Sequence, residues 1–216
     1  MRTSLGVLAS GRGSNFQSII DSVESGYLRA EIKVLITDNH GAFALERARK
    51  HGVESLVMAP KEFGSRDDYF KALAGELKAR GADLVVLAGF MRIVGKPLLD
   101  AFPYRVMNIH PALLPSFPGL HGQRQAVDYG VKISGCTVHF VDEGMDTGPV
   151  IIQAAVPVMH HDTEESLSER ILKLEHRIYP QAIKMFADGR LEVNGRKVRI
   201  REQGRQETAL INPPPE

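Results

Sequence analysis

The sequence predicts an α/β fold: an open, mostly parallel twisted sheet with helices on both faces, and antiparallel strands in the C-terminal part. Three observations carry this. Short continuous apolar runs recur through the first half, as strands buried on both faces require. Helix-length segments separate them, two of them closed by Gly52 and Gly81. The second half instead carries longer apolar segments on either side of polar turns.

Leu5-Gly6-Val7-Leu8-Ala9 is the first apolar run, followed by helical spacing at Phe16, Ile19, Ile20 and Val23. Ile32-Lys33-Val34-Leu35-Ile36 predicts the second strand, and residues 42–50 a helix. Leu56-Val57-Met58 predicts a third strand stopped by Pro60, and residues 66–80 a long helix. Leu84-Val85-Val86-Leu87-Ala88 is the strongest buried-strand signal in the chain. Strand and helix alternating at these intervals imply right-handed βαβ units. Val106-Met107-Asn108-Ile109 then predicts a short strand entering the proline-punctuated loop 110–118. Residues 135–142 and 150–158 flank the polar turn 143–148 and read as antiparallel neighbours. A helix over 163–188 places Leu167, Ile171, Leu174 and Ile178 on one face, with Pro180 as an expected kink. Asn194-Gly195 joins two short strands in a hairpin, and residues 201–216 read as a flexible tail.

Composition narrows the class. The 216 residues are 43% hydrophobic and 25% charged, ordinary for a globular chain, and predict one domain over residues 1–200. Lys and Arg number 27 against 26 Asp and Glu, a net charge of +1. A partner held by its phosphate backbone calls for a basic surplus, so nucleic acid is not expected. The single Cys136 permits no intrachain disulfide, and its mid-strand position marks a core residue. The apolar run near the start is too short for a secretory signal, and the longest run falls far short of a membrane span. These features predict a soluble, cytoplasmic protein with no membrane partner.

Two places carry chemistry. Ser10-Gly11-Arg12-Gly13-Ser14-Asn15 lies between the first strand and first helix, where glycines allow backbone N–H groups to approach an anion. A dinucleotide fingerprint is incomplete, because Phe16 stands at the third glycine and Asp38 lies late for a ribose contact. A single phosphate fits better, with Ser14 and Asn15 adding donors; the plainer alternative is a tight turn capped by a serine. In the second half, Asn108 and His110 share one side of a strand end, the edge at which open parallel sheets bind ligands. Asp146 sits in a turn between Gly144 and Gly148. If Asp146 meets His110, its carboxylate favours the charged imidazole, and the amide of Asn108 suits an oxyanion. His121 reads as a helix-start residue, His139 as a structural strand residue, and His160-His161-Asp162 as a surface turn. No histidine or cysteine spacing suits zinc.

Asn108-Ile109-His110-Pro111-Ala112-Leu113-Leu114-Pro115 resembles the signature of folate-dependent formyltransferases. Five further blocks follow the same order: residues 10–15, 87–93, 117–121, 146–150 and 175–180. Together they resemble the glycinamide ribonucleotide transformylase family over roughly residues 5–190. The resemblance implies a Rossmann-like formyltransferase fold, with a phosphate-binding half at about 1–100 and a folate and catalytic half at about 101–200. It implies direct transfer of a formyl group from the co-substrate 10-formyltetrahydrofolate to the amine of glycinamide ribonucleotide, giving formylglycinamide ribonucleotide and tetrahydrofolate in purine biosynthesis. Asn108 would hold the oxyanion, His110 donate the proton and Asp146 tune His110. Gly13, Ser14 and Asn15 would hold the nucleotide phosphate, and Glu175 its ribose. Arg66, Met91, Arg92, Ile93, Val94 and Asn108 would line the folate site, with the loop 141–146 closing over the pterin. No metal and no covalent enzyme intermediate are implied, and monomer and homodimer both stay open.

Two relatives share this chemistry. Methionyl-tRNA formyltransferases carry an added RNA-binding domain, and formyltetrahydrofolate hydrolases an N-terminal regulatory domain; the chain leaves no room for either appendage. A nicotinamide-dependent Rossmann protein is a third alternative, weakened by the missing glycine.

Overall fold

The computed structural model describes residues 2–201. Met1 and most of the expected tail, residues 202–216, lie outside the described residues. The chain runs β1 (Thr3–Leu8), α1 (Ser14–Glu24), β2 (Ala30–Thr37), α2 (Ala44–Lys50), β3 (Ser55–Val57), α3 (Arg66–Ala79), β4 (Leu84–Leu87), α4 (Lys96–Ala101), β5 (Val106–His110), α5 (Gly122–Tyr129), β6 (Ile133–Phe140), β7 (Val150–Pro157), α6 (Glu164–Ala187), β8 (Leu191–Asn194) and β9 (Lys197–Ile200). All nine strands form one sheet, in the order β3-β2-β1-β4-β5-β6-β7-β9-β8. The pairs from β3 through β5 are parallel, while β6 runs antiparallel to both β5 and β7. The hairpin predicted at Asn194-Gly195 closes the far edge, and β9 meets β7 in parallel at Val150 and Lys197.

Strand alternation builds two cores. Leu84, Val86 and Ala88 turn to the face covered by α1, α2 and α6, while Val85 and Leu87 turn to the face covered by α3 and α4. Each face needs its own helices because a parallel strand buries both rows of side chains. Helix α1 fills the first core with Phe16, Ile19 and Ile20, each burial contributing about 1.5–3 kcal/mol. Ser65 caps α3 by accepting from the Asp68 amide, and Thr163 caps α6 with a reciprocal bond from Ser166. Pro180 lies inside α6 without ending it. The phenol of Tyr179, from the same helix, sits 2.9 Å from the carbonyls of both Leu87 and Met107, tying α6 to β4 and β5.

Periodicity predicts neither α4 nor α5. Helix α4 has six residues and starts on Lys96-Pro97, and α5 buries only Gly122 and Ala126. Neither presents the repeating apolar face that reveals a helix in a sequence.

Candidate active site

The chain leaves β1 to one side for β2 and β3, then returns to β1's other side as β4. Such a switch in winding opens a crevice at the carboxyl ends of the strands. The glycine turn occupies that end of β1. Its conformation is set by Gly13, which sits in the left-handed region at φ 65° and takes the cap position of α1. A Cβ there would lie 2.9 Å from the Cβ of Ala44, so the close approach of α2 also requires glycine. The serine cap that stood as the plainer alternative is not formed: Ser14 is the first residue of the helix, and no side chain caps it. The first intrahelical bond runs from the Gln17 amide to Gly13, which leaves the amides of Ser14, Asn15 and Phe16 at the helix start.

Asn15 and Glu175, 160 positions apart, meet below this turn. The Asn15 Nδ2 donates to Glu175 Oε2 at 2.8 Å, and both residues are buried. Burial pushes the Glu175 carboxyl above its ordinary range, partly offset by that bond. The Asn15 Oδ1 is buried with no hydrogen-bond partner, an acceptor left over at the crevice floor.

The second cluster forms where β5 meets β6. Register places Asn108 opposite His139 and His110 opposite Thr137. His110 is only 4% exposed. Its Nε2 lies 2.8 Å from the carbonyl of Phe117, and its Nδ1 lies 3.4 Å from Asp146 Oδ2. Asp146 is itself held by the Gly119 amide at 2.8 Å. Its turn comes back on β6 so tightly that a Cβ at Gly148 would run into the Phe140 carbonyl. Thr137 anchors the loop after His110: its hydroxyl donates to the Ala112 carbonyl and accepts from the Leu114 amide.

His139, read from the sequence as structural, belongs to this cluster. Its Nδ1 donates to the Phe140 carbonyl at 2.9 Å, and burial lowers its pKa, so the neutral ring presents a bare Nε2. Asn108 donates to that nitrogen through Nδ2 at 3.3 Å, which leaves the second Nδ2 hydrogen unused by His139. Asp146 Oδ1 lies 3.7 Å from the same His139 nitrogen. The register that joins Asn108 to His139 spans 31 positions, and no local sequence signal reports it.

The remaining predicted residues form a third group. Arg66, at the start of α3, donates to the Ile93 carbonyl at 2.9 Å and stacks over Phe70. Met91 and Ile93 are exposed and Val94 buried, so the segment offers apolar side chains and backbone together. Arg92 reaches back to Asp38. Ser10 links this segment to the glycine turn, accepting from the Met91 amide at 3.0 Å. Cys136 is buried as expected, its thiol pushed up to about 12 by desolvation. His121 does take the cap position of α5, with its side chain against Glu164 instead of the helix amides. Among the described residues, no group of three or more His, Cys, Asp or Glu is arranged to hold a metal ion, and no helix is long and apolar enough to cross a membrane.

Comparison with known proteins matches residues 4–183 to the formyl transferase family model. Glycinamide ribonucleotide transformylase 1 from Symbiobacterium toebii superposes with a TM-score of 0.91 at 55% identity, covering 92% of this chain and 94% of that one. The phosphoribosylglycinamide formyltransferase of Escherichia coli is 43% identical over 87% of this chain and 89% of its own length. The trifunctional purine biosynthetic protein adenosine-3 of Drosophila melanogaster is 47% identical over 87% of this chain, which spans 14% of that protein.

Proposed function

The chain belongs to the formyl transferase family, and we propose that within it the protein moves the formyl group of 10-formyltetrahydrofolate onto the amine of glycinamide ribonucleotide, a step of purine biosynthesis. The observation that carries this reading is the meeting of His110 and Asp146, 3.4 Å apart, beside Asn108 at the carboxyl end of β5. The nucleotide lies along the first half of the crevice. Its phosphate takes the α1 amides at Gly13, Ser14 and Asn15, where the helix start favours an anion. Glu175 and the unpaired Asn15 Oδ1 accept from its ribose hydroxyls. The folate lies along Arg66 and residues 91–94, with the loop 141–146 over its pterin. Within one domain, residues 1–100 thus supply the phosphate turn together with Arg66 and residues 91–94 of the folate lining, and residues 101–200 supply the reacting cluster and Glu175.

The chemistry follows from the groups in reach. The nucleotide's amine nitrogen attacks the formyl carbon, and the carbonyl electrons become an oxyanion. Asn108 donates its second Nδ2 hydrogen to that oxygen, while neutral His139 keeps the amide turned the right way. Collapse of the tetrahedral carbon breaks its bond to N10 of the folate. His110 delivers a proton to that nitrogen, exchanging the Phe117 carbonyl for the substrate, and the proton shed by the attacking amine restores the balance. Asp146, 3.4 Å from Nδ1, orients the imidazole. Both partners are small molecules, and the chain supplies every group in this scheme without a covalent intermediate.

The test is direct. Purified protein is mixed with both substrates, and formylglycinamide ribonucleotide is followed by mass. Rapid product at catalytic enzyme levels is the expected result. Loss of the formyl group to water, with the nucleotide unchanged, replaces this reading with a hydrolase.

A further inference from the structure

The acid at the end of β2 has no role in the scheme above. In a dinucleotide fold that position reads a ribose; here Asp38 turns toward the end of β4 and pairs with Arg92, Nε to Oδ2, at 2.5 Å. The pair is unequal: the Asp38 side chain is 7% exposed and that of Arg92 44%. A carboxylate this buried is costly unless its partners are well placed, and its other oxygen, Oδ1, is buried with no hydrogen-bond partner among the described residues. The Tyr69 hydroxyl is buried and unpartnered too, its pKa pushed up by burial first and by the Asp38 charge second.

What this arrangement holds is an irregular segment that packing anchors at Phe90 and Val94 alone. Residues 89–95 form neither helix nor strand. Met91 is 65% exposed and Ile93 50%, so packing fixes neither side chain. Ties from outside define the backbone: Ser10 N to the Gly89 carbonyl at 3.0 Å, the Met91 amide to Ser10 Oγ at 3.0 Å, and Arg66 to the Ile93 carbonyl at 2.9 Å. The Arg92–Asp38 pair is the only charge-paired one of these ties. Three of them originate beside the phosphate turn, two at Ser10 after β1 and one at Asp38 after β2.

We propose that Asp38 is a positioning residue for the formyl donor: through Arg92, and together with Ser10, it clamps residues 89–94 to the ends of β1 and β2, so that the folate site takes its shape from the strand ends that carry the phosphate turn. The inference rests on reading residues 91–94 as part of the folate site. Asp38 touches neither substrate; it acts only through Arg92.

Asp38→Asn keeps the shape and an acceptor while removing the charge. Three quantities are measured on the intact chain: amide hydrogen exchange at residues 91–94 without ligand, the Kd for tetrahydrofolate, and the Kd for glycinamide ribonucleotide. Exchange is expected to speed up and tetrahydrofolate to bind about tenfold more weakly, a partly exposed ion pair being worth less than a fully buried one. Nucleotide affinity should stay within about twofold. Arg92→Gln should reproduce the folate effect, and the double variant should be no worse than either single change, since both remove one interaction. Unchanged exchange overturns the clamp. Faster exchange with unchanged tetrahydrofolate affinity also overturns the proposal, and locates the failure in the reading of residues 91–94 as folate site. Equal weakening of both ligands, or additive losses in the double variant, means general loosening and overturns it as well.

Discussion

The turn after β1 and the cluster at the end of β5 lie along the same edge of the sheet, yet they are assembled in opposite ways. The turn is six consecutive residues whose useful groups are backbone amides, presented by one glycine at φ 65° and one helix start. The cluster is four side chains, Asn108, His110, His139 and Asp146, delivered by two antiparallel strands and a returning loop. A parallel strand followed by a helix offers amides for free, which suits binding an anion. Proton transfer needs titratable side chains in contact, and antiparallel pairing is what brings distant side chains face to face. On the proposed function, binding and chemistry are therefore divided between the two parts of the sheet according to what each kind of pairing can supply.

The sharpest way to break this comparison is to remove chemistry without touching binding. His110→Ala and Asp146→Ala should each lower turnover about a thousandfold, the range for loss of a general acid. The fold and the tetrahydrofolate Kd should survive, since neither side chain belongs to the two hydrophobic clusters. Near-normal turnover in Asp146→Ala would dissolve the pairing read from the 3.4 Å approach. The converse change strikes backbone only. Gly13→Ala forces a side chain into the left-handed region, at about 1–2 kcal/mol, and against Ala44. A lower Tm and a raised nucleotide KM are expected, with the folate KM unmoved. Gly11→Ala, whose Cβ meets nothing within 4 Å, is the control and should leave the Tm in place. If both variants behave alike, the turn is not shaped by Gly13.

The same contrast explains which parts were legible in the sequence. The apolar runs at β1, β2 and β4 reveal themselves because both faces are buried, and the turn reveals itself because its residues are contiguous. Asn108 and His110 are legible as a strand-end pair, and Asp146 as an acid between glycines. Their meeting with His139 is set by register, which depends on the length of the intervening loop and α5, and so His139 reads as an ordinary strand residue. The serine cap fails for a local reason: Ala44 leaves no room for any side chain at the cap position, and glycine takes it. Asp38 reads as a ribose acid out of place because its partner, Arg92, lies 54 positions away.

A smaller test separates positioning from chemistry within the proposed folate site. Arg66 touches the Ile93 carbonyl and the Phe70 ring but nothing in the His110 cluster. Arg66→Ala should raise the folate KM about tenfold and leave kcat within about twofold, the signature of lost ground-state binding. A fall in kcat alone would move Arg66 into the reacting center and erase the division of labour argued above.

The finest test concerns Glu175, where the two halves touch through the core. Burial raises its carboxyl above the ordinary value of 4.5, with the Asn15 bond opposing. A folded state that holds a proton more tightly than the unfolded chain gains stability from it below the ordinary value, and loses that gain as pH rises through the raised one. Glu175→Gln cannot ionise and keeps an acceptor for Asn15, so it escapes the loss. The stability of the variant relative to wild type, from urea unfolding, should therefore climb as pH rises above 4.5 and then level off. A difference that stays flat across the window would mean that the Asn15 bond fully offsets the desolvation of a carboxyl at 6% exposure. A climb joined to weaker nucleotide binding would show why the chain tolerates the strain: the carboxylate that destabilises the fold near neutrality is the form best able to accept two ribose hydroxyls.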